Sequence, residues 1–204
     1  MGDNIAMLDP NSSEFLAYIG KAMATADQPD MALERTLETI RQGLCAEAAS
    51  IFLFDEAEQV LECKASLGPH PATGMSVPRG VGIVGQVAEQ GRAVLVEDAA
   101  SHPAFYRGID QMTGFVTHSV VCAPLIVRDK VLGAVMLLNK TCDRKFSEQD
   151  RALLESYCAL AALSINNARL SILALERERF QRELEIAREI QRSMLPGAGQ
   201  ARIQ

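Results

Sequence analysis

The stretch SVVCAPLIVRDKVLGAVMLLN, residues 119–139, carries the strongest structural signal in this chain. Apolar and β-branched residues fill two runs, 119–127 and 131–139, which the polar triplet Arg128, Asp129 and Lys130 separates. Runs of this length with a short polar connection predict two neighbouring strands of an antiparallel hairpin.

The rest of the pattern predicts an α+β fold. Further strands are expected at 49–54, 60–65 and 93–96, the first two pairing as a hairpin. Helices are expected at 29–44, where Leu33, Leu37, Ile40 and Leu44 recur at helical spacing, and from 147 almost to 194. A capping box at Asn11 and Glu14 predicts an earlier helix. Strands in hairpin order between such helices predict an antiparallel central sheet with helices packed on one face.

Composition and charge narrow the class of protein. The 204 residues are 48% hydrophobic and 23% charged, which fits a soluble globular chain. No apolar run approaches the ~18 residues that span a bilayer, and residues 1–10 lack the features of a secretory signal. We therefore expect a cytoplasmic chain with no membrane partner. The net charge of −6 argues against a nucleic-acid partner, because phosphate binding needs a basic face.

The cysteines and histidines show no spacing typical of a metal site. The scattered cysteines are expected to be reduced thiols, mostly in the core: Cys45, Cys63, Cys122, Cys142 and Cys158. The histidines at 70, 102 and 118 lie far apart. We expect neither a metal nor a cofactor in this chain.

Two connecting segments carry the candidate binding chemistry. Glycines at 80, 82 and 85 mark a strand end that turns into a short helix ending at Gly91. Backbone N–H groups at a helix start bind anions, and the same glycines suit a plain tight turn, an alternative that the sequence leaves open. The segment 97–118 has little strand character and is typical of a lid or binding loop. Thr113 and Thr117 are four apart, which on a helical turn places both hydroxyls on one side.

Four stretches between residues 80 and 169 form a long ordered set: GIVGQVAEQG, EDAASHPAFYRGIDQMTGFVTHSVVCAPL, VLGAVMLLNK and FSEQD. Together they resemble the GAF domains of cyclic-nucleotide phosphodiesterases and their bacterial relatives. The resemblance implies a GAF fold and a regulatory, small-molecule-sensing domain with cAMP or cGMP as ligand. It also implies that this chain is not itself an enzyme.

The resemblance places two sets of residues. At the ligand it places Ser50, Ile83, Val84, Tyr106, Asp110, Thr113 and Thr117, with Ile83 and Val84 contacting the phosphate through their backbone. As a structural motif beside the pocket it places Asn139, Lys140, Phe146 and Asp150, in which the lysine and the aspartate form a salt bridge. Arg151 stands where the family usually has a glutamate. Taken singly, each polar side chain at the ligand also fits a cap or a local hydrogen bond.

Two positions depart from the nucleotide-binding members of that family. Ser66 or Leu67 stands where those members have an aromatic residue that stacks on the purine, and Met136 stands where one subgroup has a glutamate. Stacking contributes ~1–3 kcal/mol per base, so its loss lowers affinity by about tenfold or more. The alternatives are a ligand-free dimerisation scaffold or a sensor of a different small molecule. An enzyme like the free-methionine sulfoxide reductases needs clustered reactive cysteines, which this pattern lacks.

The C-terminal helix carries a heptad pattern. Leu173, Phe180, Ala187 and Met194 recur every seven residues, with Leu170 and Leu184 on a neighbouring line. This pattern predicts a coiled-coil signalling helix over 171–195 and a homodimer. The run ELEIAREIQRSMLP, residues 183–196, resembles the segment that leads into SpoIIE/RsbU-type serine phosphatases of the metal-dependent PPM superfamily.

This second resemblance implies that the chain regulates a protein serine/threonine phosphatase. The expected division is an N-terminal helix at 1–28, a GAF sensor at 29–170, the signalling helix at 171–195 and the start of a phosphatase domain at 196–204. Mg²⁺ or Mn²⁺ is expected only in the catalytic domain, which this chain lacks. Ligand binding would close the segment 97–118 and shift the pairing of the two helices.

Overall fold

A computed structural model describes residues 29–55, 57, 59–141 and 145–194. In chain order its helices and strands are α1 (Pro29–Gly43), β1 (Ala46–Asp55), β2 (Val60–Leu67), β3 (Ser76–Pro78), α2 (Gly82–Gln90), β4 (Val94–Val96), α3 (Arg107–Thr113), β5 (Val120–Val127), β6 (Lys130–Lys140) and α4 (Glu148–Met194). The helix expected within 1–28, the phosphatase start expected at 196–204 and Cys142 lie outside the described residues.

The strands form one antiparallel sheet in the order β3-β2-β1-β6-β5-β4. β1 and β6 pair at its centre, from Ala46 with Lys140 to Leu53 with Gly133. β5 and β6 form the hairpin predicted from residues 119–139, and β1 and β2 form the second predicted hairpin. The α+β class is therefore confirmed, and β3 is the edge strand whose end the glycines at 80, 82 and 85 mark.

The sheet separates two apolar cores. On one face, α1 and the first turns of α4 pack through fully buried side chains such as Leu37, Ile40 and Tyr157. On the other face, α2 packs through Val84 and Val87. Successive residues of a strand serve opposite faces, so each central strand contributes to both cores. Burying one such aliphatic or aromatic side chain contributes about 1.5–3 kcal/mol. The terminal helices thus share one face, as expected, while α2 covers part of the other.

The segment 97–118 contains more structure than its sequence pattern indicates. A 3₁₀ turn at Ala99–Ser101 begins with the Asp98 carboxylate accepting a hydrogen bond from the Ala100 N–H at 3.1 Å. α3 then ends at Gly114, which adopts a left-handed conformation with φ of +73°. Because the helix ends there, the expectation that Thr113 and Thr117 share a helical turn is wrong.

α4 continues to Met194, but the compact unit around the sheet ends at Asn166. From Asn167 onward the described helix exposes large apolar side chains, which include Leu170, Leu173, Leu175, Phe180 and Leu184. One stretch of α4 within 148–191 is long and apolar enough to cross a membrane, with a mean hydropathy of 1.5. This corrects the expectation that no stretch approaches a span. Length and composition alone are weak evidence, because core helices of soluble proteins meet the same criterion.

Candidate functional site

A recess lies on the sheet face that α2 covers. It is open to solvent, and its cavity volume is about 50 Å³, below the usual range of small-molecule pockets, roughly 300–1,000 Å³. Its lining comes from the sheet, from the start of α2 and from α3 with its flanking residues: Val77, Gly82, Ile83, Val84, Phe105, Tyr106, Ile109, Asp110, Thr117, Val120, Met136 and Leu138.

The N-terminus of α2 forms one wall of the recess. Val81 occupies the N-cap position and no side chain caps the helix, whose first turn also contains no acidic residue. The first N–H groups of a helix have no intrahelical acceptor and carry a partial positive charge. Gly82 provides the entry into the helix with φ of +71°, a conformation that favours glycine. Ile83 and Val84 therefore meet the recess at a point suited to an anion.

Asp110 and Thr117 also line the recess, and two hydrogen bonds join them. The Asp110 carboxylate accepts one from the Thr117 backbone N–H at 2.9 Å and one from the Thr117 hydroxyl at 2.8 Å. These bonds bring the chain after α3 back against the helix. Thr113 does not line the recess, because its hydroxyl donates to the Ile109 carbonyl at 2.8 Å and accepts from the Phe115 N–H at 3.3 Å.

Ser50 lies near the recess without lining it. Its side chain is 4% exposed, and its hydroxyl lies 3.0 Å from the Ser66 hydroxyl on the neighbouring strand. The structure thus brings five of the seven residues expected at a ligand to the recess, namely Ile83, Val84, Tyr106, Asp110 and Thr117, and leaves Ser50 and Thr113 outside its lining.

Apart from Met136, noted above as a departure from the family, the lining residues of the sheet are not singled out by the sequence pattern. Val120, Met136 and Leu138 form the floor, and they alternate with Val121 and Leu137, which belong to the other core. That alternation is the signal in the sequence that marks the floor. The rings at the recess are Phe105 and Tyr106 on the long segment, whereas Ser66 and Leu67 provide none.

Asn139 holds the segment that contains Thr117. Its side-chain oxygen accepts hydrogen bonds from the backbone N–H groups of His118 and Ser119, at 2.7 and 3.3 Å. Its amide nitrogen donates to the Val116 carbonyl at 2.9 Å and to the Glu47 carboxylate at 2.8 Å. Three hydrogen bonds from this side chain therefore fix residues 116–119 beside the sheet, and the fourth ties it to Glu47 on β1.

Lys140, the next residue, holds α4 instead. Its ammonium group lies 2.7 Å from the Asp150 carboxylate, with both side chains largely buried, and 5.4 Å from the centre of the Phe146 ring. Burial opposes ionisation of Asp150, but hydrogen bonds from Lys140 and Ser147 outweigh it and hold the pKa of Asp150 below its ordinary value. Arg151 pairs with Glu148 on the surface at 2.7 Å.

The three buried thiols, Cys63, Cys122 and Cys158, are unsuited to nucleophilic chemistry. Burial raises the pKa of Cys63 to about 12 and raises the pKa values of Cys122 and Cys158 as well. A thiolate is the reactive form, so these groups are inert near neutral pH. Over the described ranges, no group of three histidine, cysteine or acidic side chains converges on a metal position.

Comparisons with known proteins agree with this architecture. A sequence profile described as the GAF domain matches residues 28–165. The dual 3′,5′-cyclic-AMP and -GMP phosphodiesterase 11A of Takifugu rubripes is 33% identical over 121 residues, which are 57% of this chain and 13% of that protein. The chain therefore spans a small part of that relative.

Solved structures share the fold. The GAF domain of the Acinetobacter phosphoenolpyruvate-protein phosphotransferase is 25% identical with a TM-score of 0.66, over 77% of this chain and 93% of that one. The free methionine-R-sulfoxide reductase of Neisseria meningitidis is 20% identical with a TM-score of 0.67, over 84% and 95%. At that identity the likeness concerns the fold alone. The expected fold is confirmed.

Proposed function

This chain belongs to the GAF-domain family, and from that premise we propose that its recess binds a cyclic purine nucleotide, cAMP or cGMP, as a regulatory signal. GAF domains are generally regulatory, small-molecule-sensing domains without catalytic activity. The relative from Takifugu rubripes, whose name states a dual cyclic-AMP and -GMP phosphodiesterase, supports this ligand class.

The uncapped start of α2 at the recess carries the proposal. A cyclic phosphodiester has one negative charge, and the lining residues include neither lysine nor arginine. The N–H groups at Ile83 and Val84 supply the donors that such an anion needs, aided by the helix dipole. The apolar remainder of the lining suits a ribose and a flat base.

Calorimetric titration of the chain with cAMP and cGMP tests the ligand. We expect saturable binding of at least one nucleotide. Thr117→Ala is expected to weaken this binding by about 10- to 100-fold, because the variant loses the hydrogen bond from the Thr117 hydroxyl to the Asp110 carboxylate at the recess. A hydrogen bond to a charged group contributes about 1.5–3 kcal/mol. Thr117→Ser keeps the hydroxyl on Asp110 and serves as the matched control. A folded wild-type chain that gives no heat with either nucleotide would leave a sensor of another molecule or a ligand-free scaffold.

We further propose that the helix after Asn166 pairs with a second copy. Leu170, Leu173, Phe180 and Leu184 form an exposed apolar seam at heptad spacing. In sedimentation equilibrium we expect a dimer, which Leu173→Glu combined with Phe180→Glu converts to a monomer. Leu175→Glu changes a more exposed leucine that lies off the seam and should leave the dimer intact. A double variant that stays dimeric excludes this seam.

In a longer cytoplasmic protein, this helix would control a metal-dependent serine/threonine phosphatase. The support is the segment at 183–196, which resembles the approach to such domains and whose last residues lie beyond the described part of the chain. The test is the rate at which the longer protein dephosphorylates a phosphoserine protein with and without nucleotide. If the dephosphorylation rates with and without saturating nucleotide are equal, regulation of the phosphatase through this helix is excluded.

A further inference from the structure

The exposed apolar seam of α4 contains a charged residue near its middle. Leu170, Arg177 and Leu184 follow one another at seven-residue spacing, and Leu173 and Phe180 form the neighbouring line. Because the steps between the two lines alternate between three and four residues, the first line is position a of a heptad and the second is position d. In a pair of such helices, Arg177 lies between apolar layers, where an unpaired charge is costly.

Arg177 has no carboxylate partner along the described part of its own helix. Two nearby arginines bond to glutamates four residues away, at 3.3 and 3.2 Å: Arg179 to Glu183 and Arg182 to Glu178. Over the same described stretch, neither Arg177 nor the adjacent Glu176 forms such a bond. Both side chains are exposed. This pair of opposite charges is therefore available to a second copy of the chain.

The packing of a parallel coiled coil brings positions 176 and 177 of the two copies together. A side chain at position a enters a hole formed by four residues of the facing helix. For residue 177 in a parallel pair in register, those residues are at positions 173, 176, 177 and 180 of the facing helix. The Arg177 guanidinium therefore meets the carboxylate of the partner's Glu176. Two-fold symmetry repeats the contact, so each arginine gains one carboxylate.

The neighbouring charges favour the parallel orientation. In a parallel pair, position g faces position e of the other helix five residues later, which places Glu183 opposite the partner's Arg188. In an antiparallel pair centred on this stretch, position g faces position g, which would place Glu176 opposite the partner's Glu183. Like charges that meet across an interface oppose association.

We infer that Arg177 fixes the orientation and register of the dimer through an ion pair with the partner's Glu176. This inference rests on the dimer in the proposed function. A slip of one heptad would leave one of the two arginines beside the partner's Arg169, because residue 169 precedes residue 176 by seven positions. A charged residue at position a thus lowers the stability of the pair and selects one alignment, as polar residues at this position do in coiled coils.

Two charge-reversal variants, studied separately and mixed by sedimentation equilibrium, test the ion pair. Arg177→Glu and Glu176→Arg each set like charges together, and each is expected to raise the dissociation constant of its own dimer at least about tenfold. An equimolar mixture should recover most of the affinity, because both contacts between the two variants join opposite charges. Glu178→Arg is the matched control: it reverses a nearby glutamate off the seam and should leave the dimer unchanged.

Disulfide formation in Ala187→Cys measures the orientation. Residue 187 lies on the line of position d, so the two thiols face each other in a parallel pair in register, and mild oxidation should give a covalent dimer that the wild type does not form. In the antiparallel pair the two residues lie about 25 Å apart.

The outcomes separate this inference from the dimer itself. A dimeric wild type whose variants associate unimpaired, whose mixed variants associate no better than each alone, or whose Ala187→Cys form does not cross-link overturns the inference alone. A wild type that is monomeric overturns the proposed dimer and the inference together.

Discussion

Replacing Gly133 with alanine is expected to lower the free energy of unfolding by about 4–5 kcal/mol, which places it among the most destabilising single substitutions. A Cβ at this position would lie 1.9 Å from the Phe52 carbonyl oxygen and 2.9 Å from the Leu53 Cα. Both neighbours are backbone atoms of β1, so no side chain can rotate out of the way. The central pair of strands would have to separate, and both cores depend on that pair.

Urea unfolding followed by circular dichroism measures this effect. Gly91→Ala is the matched control, because Gly91 has φ of +64° and a Cβ there meets only ordinary van der Waals contacts at 3.7 Å. That variant should lose about 1–2 kcal/mol, the cost of a left-handed conformation in a non-glycine residue. A Gly133→Ala protein as stable as Gly91→Ala would contradict the close approach of β1 and β6.

Lys140→Met is expected to cost about 3 kcal/mol of unfolding free energy, the lower end of the effect of breaking a buried ion pair. The substitution removes the ammonium group 2.7 Å from Asp150 and leaves that carboxylate largely buried, with a side chain 14% exposed. Lys140→Met combined with Asp150→Asn removes both charges and should recover part of the loss. If the double variant recovers none of the loss in urea, the unpaired carboxylate is not its cause. A single variant as stable as the wild type would contradict a stabilising contribution from the pair.

The same pair predicts a dependence of stability on pH. The pKa of Asp150 is lower in the folded chain than its ordinary value, so ionised Asp150 stabilises the fold. This contribution is fully present above the unfolded pKa, about 3.9, and is lost as pH falls through the folded pKa. Below about pH 4 the wild type should therefore lose a stabilising contribution that Asp150→Asn lacks at every pH. Parallel stability curves for the two proteins would contradict this.

The fold was accessible from the sequence where the local pattern and the global structure agree. The helix at Pro29–Gly43 follows its apolar spacing, and the strands at 119–139 follow their β-branched runs. For the edge strand Ser76–Pro78 the glycines that follow predict only where the strand ends, because three residues that end in proline show no alternation. α3 ends at Gly114 because glycine is preferred at a helix C-terminus. The four-residue spacing of Thr113 and Thr117 instead predicted that the helix continues past this glycine.

The site was only partly accessible, because its geometry depends on contacts between distant residues. Asn139 bonds to Glu47, 92 positions away, and to Val116, 23 positions away. No local sequence pattern relates residues so far apart along the chain. Ser50 lies outside the recess although its cross-strand neighbour Met136 lines it, a packing detail that sequence spacing does not encode. The resemblance to the GAF family predicted the seven candidate ligand residues, and packing determined which five of them line the recess.

Two consecutive residues, Asn139 and Lys140, anchor the long segment and the outgoing helix at a single point of the sheet. Both anchors lie well before Asn166, where the compact unit ends. Both contacts are therefore complete within residues 29–166. A fusion protein that replaces the residues after 166 would keep both of them unchanged.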